Sequence, residues 1–198
     1  IIMDESPSGC WTNHHSITEY NGQWYLFYHH NDYSPNFDKN RSARIDSLFF
    51  NTDGTIKKVK PTLRGVGITD ARSKIQIDRY STISPYGVTI DYLEPSNTFE
   101  GWQTLFNRAG TWVTYNKVDF GTTPVKRLKA RVRSEKGGAI TLRTPGEKGM
   151  TIAELPIKPT GKWTEISTNV SNAPTSMQDL IITQTGENPV AVDWISFE

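Results

Sequence analysis

Short runs in which apolar and polar residues alternate recur along the chain, whereas helical periodicity is almost absent. In the N-terminal part, Asn21-Gly22 joins the runs HSITEY and QWYLFYHH, and this dipeptide is a strong signal for a tight β-hairpin. A second turn, NTDG at 51–54, joins ARIDSLFF to TIKKV. These four runs predict a small antiparallel meander of the size of one propeller blade. Because a single blade cannot bury both faces of its sheet, we expect it to pack against other blades.

From Ile75 the pattern restarts, and ten short strand candidates follow at regular spacing, from IQIDRYS to VAVDWISF. This spacing predicts a β-sandwich of the jelly-roll type, and about 124 residues are enough for one closed core. The segment PTLRGVGITDARSK between the two patterns is rich in turn residues. We therefore expect an all-β chain with a blade at 1–60, a linker at 61–74 and a sandwich at 75–198.

Composition excludes some classes of partner. Lys and Arg number 22 against 21 Asp and Glu, a balance without the clustered basic surface that nucleic acid requires. The basic run KRLKARVR at 126–133 alternates with apolar residues and predicts a strand with one solvated face. No apolar run approaches the length of a membrane helix, and the single Cys10 cannot form an internal disulfide. The 22 aromatic residues (6 Trp, 8 Tyr and 8 Phe) are compatible with sugar binding and equally with core packing.

Four motifs in the C-terminal part carry a resemblance: IQIDRYS, RAGTWVTYNKVDFG, TGKWTEI and VDWISFE. Together they resemble carbohydrate-binding modules of family 6 over residues 75–198. The resemblance implies that Trp163 and a second aromatic, Trp102 or Phe106, clamp a sugar ring in a cleft at the loop edge of the sandwich. The alternative for Trp163 is an ordinary half-buried strand residue. The family's hydrogen-bonding Asn is replaced by Ala191, and stacking without such orienting bonds gives weak, unselective binding.

The same resemblance implies a structural calcium ion. Asp78 and Asp193 stand at positions where the family places carboxylate ligands near both termini, and hard oxygen donors suit Ca²⁺. The alternative is that both are exposed carboxylates at strand ends.

The N-terminal part carries two further motifs, WTNHHSITEYNGQWYLFYHHND and NRSARIDSLFFNTDGTI. They resemble the last blade of the five-bladed propeller in glycoside hydrolase family 43, which includes β-xylosidases and α-L-arabinofuranosidases. The resemblance implies that His14 lies at the propeller axis and that Arg41 reaches the substrate; the alternative for Arg41 is a surface salt bridge. This family inverts configuration with separated carboxylates. By the family pattern these lie in earlier blades, and none of the carboxylates here matches them.

We therefore expect the chain to be the C-terminal portion of a secreted or periplasmic glycosidase that degrades xylan or arabinoxylan. This portion alone is not expected to hydrolyse a substrate. It begins without an initiator methionine or an export signal, and we expect the remaining propeller to precede it. The expected partners are plant cell-wall polysaccharide and that missing propeller portion, with neither nucleic acid nor membrane. Two alternatives remain: a stand-alone carbohydrate-binding protein, or a sandwich that only packs on the propeller, which Ala191 favours.

Overall fold

The structure, a computed structural model, describes residues 1–3, 14–30, 42–147 and 149–198 of the chain. Within these ranges the regular structure is β-sheet, apart from one short 3-10 helix at Thr98–Glu100. None of the helical structure in these ranges has the length and apolar character that crossing a bilayer requires. The chain divides into two compact units, Ile1–Val66 and Gly67–Glu198.

The first unit contains a three-stranded antiparallel sheet of β1 (His15–Tyr20), β2 (Gln23–His30) and β3 (Ser42–Leu48), in that order. The predicted hairpin is confirmed: Asn21 and Gly22 both have positive φ angles, 51° and 79°, as a two-residue turn of the primed type requires. The predicted fourth strand at TIKKV is wrong. After an isolated bridge from Ile56 to Phe50, the chain turns away and Val59 pairs with Met3 instead.

A buried carboxylate holds the end of this unit against its sheet. Asp46 on β3 accepts hydrogen bonds from the hydroxyl of Tyr28 (2.5 Å) and the hydroxyl of Thr62 (2.6 Å). It also accepts one from the backbone N–H of Thr62 at 3.1 Å. Burial, followed by the bond to Asp46, raises the pKa of Tyr28 far above its usual value. Residues 61–66 are therefore part of the first unit.

The second unit is a sandwich of two sheets. The first sheet has the order β13-β10-β15-β8-β7 and a short strand, β5, paired with β15. Its strands are β5 (Ile75–Gln76), β7 (Val88–Tyr92), β8 (Trp102–Phe106), β10 (Arg127–Arg133), β13 (Thr164–Asn169) and β15 (Val190–Phe197).

The second sheet has the order β12-β11-β14-β9-β4, with β6 paired with β9. Its strands are β4 (Thr69–Asp70), β6 (Thr82–Ile83), β9 (Trp112–Asp119), β11 (Gly138–Arg143), β12 (Thr151–Ile157) and β14 (Met177–Gln184). All ten predicted strands are present, although IQIDRYS contributes only the two residues of β5.

Alternating side chains from both sheets form one core. On β10, Leu128, Ala130 and Val132 are fully buried, whereas the residues between them face outward, as the sequence predicts. Tyr115 on β9 of the opposite sheet and Phe120, directly after β9, belong to the same buried cluster. The described members of this buried cluster all belong to the second unit.

The predicted linker at 61–74 is wrong. Residues 61–66 belong to the first unit, and residues 67–74 belong to the sandwich. Asp70 pairs with Asp119 of β9, and Ala71 is completely buried in the core. The guanidinium of Arg72 donates to the carbonyl oxygens of Phe120 and Thr123, at 2.8 and 2.7 Å. The buried Ala71 and the two hydrogen bonds of Arg72 to backbone carbonyl groups make this turn-rich segment an integral part of the fold.

Candidate functional site

The outer face of the first sheet carries a pocket of about 580 Å³. Its centre is one row of residues across four strands: Thr89 pairs with Leu105, Leu105 with Ala191, and Ala191 with Arg133. Residues two apart on a strand share a face, so Asp91 and Gln103 extend this surface along β7 and β8. The pocket thus depends on the register of four strands that are far apart in sequence.

Two loops form the wall of the pocket at the end of β10 and before β15. The lining residues there are Ser134, Glu135, Lys136, Asn188 and Pro189. The Ser134 hydroxyl, which is buried, lies 2.7 Å from the carbonyl oxygen of Pro189 and 3.1 Å from that of Gly137. This side chain therefore ties the two loops together and shapes the wall.

The polar groups of the pocket have defined orientations. Nε2 of Gln103 donates to the carbonyl oxygen of Tyr92 at 2.7 Å, which leaves Oε1 to accept from the guanidinium of Arg133 at 3.4 Å. The centre of that guanidinium lies 5.0 Å from the centroid of the Trp163 ring, a cation–π distance. Gln103 and Trp163 thereby hold Arg133 at one end of the pocket, with Asp91 at the other.

Trp163 lies immediately before β13, half-buried, with cations of its own chain against its ring. Besides Arg133, the guanidinium of Arg131 lies 5.5 Å from the ring centroid. Arg131 also forms an ion pair with Asp193 at 2.7 Å. Burial raises the pKa of the Asp193 carboxyl, and the ion pair opposes that shift. A sugar that stacks on Trp163 would therefore share the ring with two guanidinium groups.

The second predicted aromatic of the clamp is not beside Trp163. Trp102 stacks on Tyr92, with ring centroids 4.4 Å apart and planes at 25°. Trp102 lies on the same face of β8 as Phe106, which is 0% exposed and belongs to the core. The prediction of Phe106 as a sugar-binding residue is wrong, because the inward face of β8 packs in the centre of the sandwich. Trp102 lies at the end of that same face. Strands β10 and β15 separate its strand, β8, from β13, which Trp163 directly precedes.

The two predicted calcium ligands lie on neighbouring backbone segments, since the N–H of Ile77 donates to the carbonyl oxygen of Asp193. Asp78 and Asp193 are 2% and 6% exposed, so the alternative that both are exposed is wrong. Each carboxylate has an arginine partner: Arg79 for Asp78 at 3.2 Å and Arg131 for Asp193. The described part of the chain contains no cluster of three or more acidic, His or Cys side chains suited to a metal. These side chains fit two ion pairs better than a calcium site.

The predicted propeller residues have different outcomes. His14 is exposed; its ring lies 5.9 Å from that of His29, and its backbone N–H donates to Nδ1 of His29 at 3.4 Å. Arg41 lies outside the described residues. The pocket residues Arg133, Gln103 and Asp91 were missed by the sequence analysis. The alternation in KRLKARVR places Arg133 on a solvated face, but only the sheet order shows that this face carries a pocket.

Comparison with known proteins agrees with this geometry. The family model described as "Carbohydrate binding module (family 6)" matches residues 83–198. A solved family 6 module from Clostridium cellulolyticum in complex with xylose superposes with a TM-score of 0.58 and 28% identity. That match covers 66% of this chain and 99% of the module.

Two of the other matches extend over both units. An arabinoxylan arabinofuranohydrolase of Paenibacillus polymyxa is 28% identical over 186 residues, which cover 88% of this chain and 29% of that protein. The structure of a glycoside hydrolase family 43 arabinoxylan arabinofuranohydrolase from Bacillus subtilis, with cellotetraose, has a TM-score of 0.65 and 25% identity. That match covers 93% of this chain and 40% of the enzyme. A β-xylosidase of Xylanibacter ruminicola is 48% identical over 62 residues, covering 30% of this chain and 18% of that protein.

The two-sheet sandwich, together with the family match, places the second unit in the class of β-sandwich carbohydrate-binding modules. The chain belongs to carbohydrate-binding module family 6. It spans about a third or less of the length of its curated relatives.

Proposed function

We propose that this chain works as part of a glycoside hydrolase family 43 enzyme and that its sandwich binds the xylan-type polysaccharide that the enzyme degrades. The observation that carries the binding role is the row from Thr89 to Arg133, which forms a pocket of about 580 Å³. Small-molecule sites have volumes of roughly 300–1,000 Å³ and combine an apolar surface with a few oriented polar groups. The relatives named for arabinoxylan and xylose support the substrate class.

The pocket offers the contacts that a sugar needs. Leu105 and Ala191 present an apolar floor for C–H faces, and Asp91 accepts hydrogen bonds from hydroxyl groups. Arg133 donates, and Oε1 of Gln103 accepts. These groups would supply the orienting bonds that Ala191, in place of the family's Asn, does not make.

The first unit would supply part of the catalytic pocket rather than the chemistry. The similarity to arabinoxylan arabinofuranohydrolases extends over this unit and supports a position next to further propeller blades, with His14 and Arg41 as the proposed substrate-binding residues. The inverting carboxylates would come from those blades. Location outside the cytoplasm, secreted or periplasmic, follows from a polymeric cell-wall substrate and is part of this proposal.

Calcium binding at Asp78 and Asp193 stays a prediction. A calcium ion takes six to eight oxygen ligands, so it would have to compete with Arg79 and Arg131 and recruit backbone oxygens or water. Thermal unfolding of the chain in EDTA and then in millimolar CaCl₂ tests it. A rise in Tm with CaCl₂, but not with MgCl₂, would support the site, and an unchanged Tm would remove it.

Affinity electrophoresis in gels that contain soluble arabinoxylan tests the binding role. We expect the polysaccharide to retard the wild-type chain and Leu105→Asp to abolish the retardation, because the change places a charge on the apolar floor. Trp102→Ala, on the opposite face of β8, is the matched control and should remain retarded. A wild-type chain that migrates equally with and without arabinoxylan would instead support a purely structural sandwich. Ala191 and the guanidinium groups that cover Trp163 favour that second candidate.

A further inference from the structure

We propose that the pocket prefers a sugar that carries a carboxylate, a uronic acid unit of an acidic polysaccharide, and that Arg133 binds this carboxylate. The inference rests on the proposed sugar-binding function and names the chemical class of the ligand. It follows from the charges on the outer face of β10.

Arg133 differs from the other cations that face outward from β10. Glu198 lies 3.8 Å from the guanidinium of Arg127 and 2.7 Å from Nζ of Lys129. Arg131 has Asp193 at 2.7 Å. Among the described residues, Arg133 has no carboxylate within the 4 Å of an ion pair, and it is the cation of this strand that lines the pocket.

The guanidinium of Arg133 is positioned before any ligand arrives. One N–H bonds to Gln103, whose amide is oriented by the carbonyl of Tyr92, and Trp163 supports the planar group. A guanidinium has five N–H donors, so most of them remain for a ligand. The planar fork matches a carboxylate, which can accept two parallel hydrogen bonds from it. A pre-positioned donor also loses little side-chain entropy on binding.

The acidic groups around the pocket leave this end cationic. Asp91 lies on β7, three strand spacings from β10, which corresponds to about 14 Å, and its carboxylate accepts from the N–H of Tyr92 at 2.7 Å. Glu135 lies in the wall next to Lys136, so their charges oppose each other. Glu94 is fully exposed; hydrogen bonds from Ser96 lower its pKa, and the charge of Arg133 acts in the same direction. A carboxylate beside Arg133 therefore meets a cation, while the neutral part of the glycan extends over Ala191 and Leu105.

Affinity electrophoresis and calorimetric titration with a matched pair of polysaccharides test the inference. One is glucuronoxylan, and the other is the same preparation after chemical reduction of its carboxyl groups to alcohols. We expect the wild-type chain to bind the acidic form about fivefold more tightly or better at low salt. The preference should shrink as NaCl is raised, because salt screens a partly exposed charge pair.

Two variants at Arg133 test whether this residue causes the preference for the acidic polysaccharide. In Arg133→Gln the ratio of the two affinities should fall to about one, whatever happens to the affinity for the reduced polymer. Arg133→Lys keeps the charge without the fork and should retain part of the ratio. Lys129→Gln removes the same charge from the same face outside the pocket and should leave the ratio unchanged. Circular dichroism of each variant checks the fold.

The results separate this inference from the proposed function. Equal affinity of the wild-type chain for the acidic and reduced polymers would overturn the inference while the sugar-binding role stands. A preference that survives in Arg133→Gln would also overturn it, because the carboxylate would then bind elsewhere. Binding to neither polymer, nor to neutral arabinoxylan, would overturn the proposed function and the inference with it.

Discussion

Removal of Arg131 tests how the outer face of the first sheet is stabilised. The Arg131–Asp193 pair has an N–O distance of 2.7 Å, and the side chains are 32% and 8% exposed. In Arg131→Met the Asp193 carboxylate would remain buried with its nearest cation gone. Breaking a buried pair on one side costs about 3–5 kcal/mol. Because Arg131 is one-third exposed and water can enter in its place, we expect about 2–3 kcal/mol.

This loss is large enough to measure by thermal unfolding. The sandwich unit has about 130 residues, and at roughly 2.1 cal/mol/K per residue each kcal/mol lowers Tm by about 4 °C. We therefore expect Tm of the sandwich to fall by about 7–11 °C. Lys129→Met is the matched control on the same strand, since its partner Glu198 is half-exposed. Exposed pairs contribute about 0–1 kcal/mol, so Tm should fall by about 4 °C at most.

A double variant separates the effect of the buried charge from that of other contacts of Arg131, such as its packing on Trp163. The variant with both Arg131→Met and Asp193→Asn has no charge left to bury. It should be more stable than Arg131→Met alone by about 1–2 kcal/mol. If Arg131→Met is no less stable than Lys129→Met, or if the double variant is less stable than Arg131→Met, the burial argument fails.

Three further predictions concern the core, the first unit and the pocket. Phe106→Ala should lower the free energy of unfolding by about 3–5 kcal/mol in urea titration, because it opens a cavity in the core, whereas Trp102→Ala, at the end of the sheet, should cost less than half as much. Thr62→Val should remove the side-chain hydrogen bond to Asp46, cost about 1–3 kcal/mol, and speed limited proteolysis at 61–66; an unchanged digestion pattern would contradict the role given to Asp46. Ala191→Asn, which adds a donor and an acceptor to the pocket floor, should tighten binding of neutral arabinoxylan by roughly fivefold in calorimetric titration, and weaker binding would show that the floor has no room for an amide.

The all-β architecture was predictable because strands have a local signature. Alternation in KRLKARVR depends only on neighbouring residues, and the structure confirms buried Leu128, Ala130 and Val132 with cations between them. The Asn21-Gly22 hairpin was predictable for the same reason, since its positive φ angles are a property of two residues.

Predictions failed where they depended on position within the sheets. Phe106 was a candidate for the cleft because it is aromatic and close to a family motif. Its position on β8 places its side chain on the inward face, in the core. The segment 67–74 has the composition of a linker, yet Ala71 and Arg72 find partners on residues about 50 positions later in the chain.

The amino-acid sequence by itself determined most of the strands, the face of each of these strands that meets water, and the family. Only the tertiary structure decided which outward faces lie side by side. Thr89, Leu105, Ala191 and Arg133 form one pocket because β7, β8, β15 and β10 are neighbours in that order. Period-two alternation is a local property of a strand, whereas strand order results from closing both sheets around a common core.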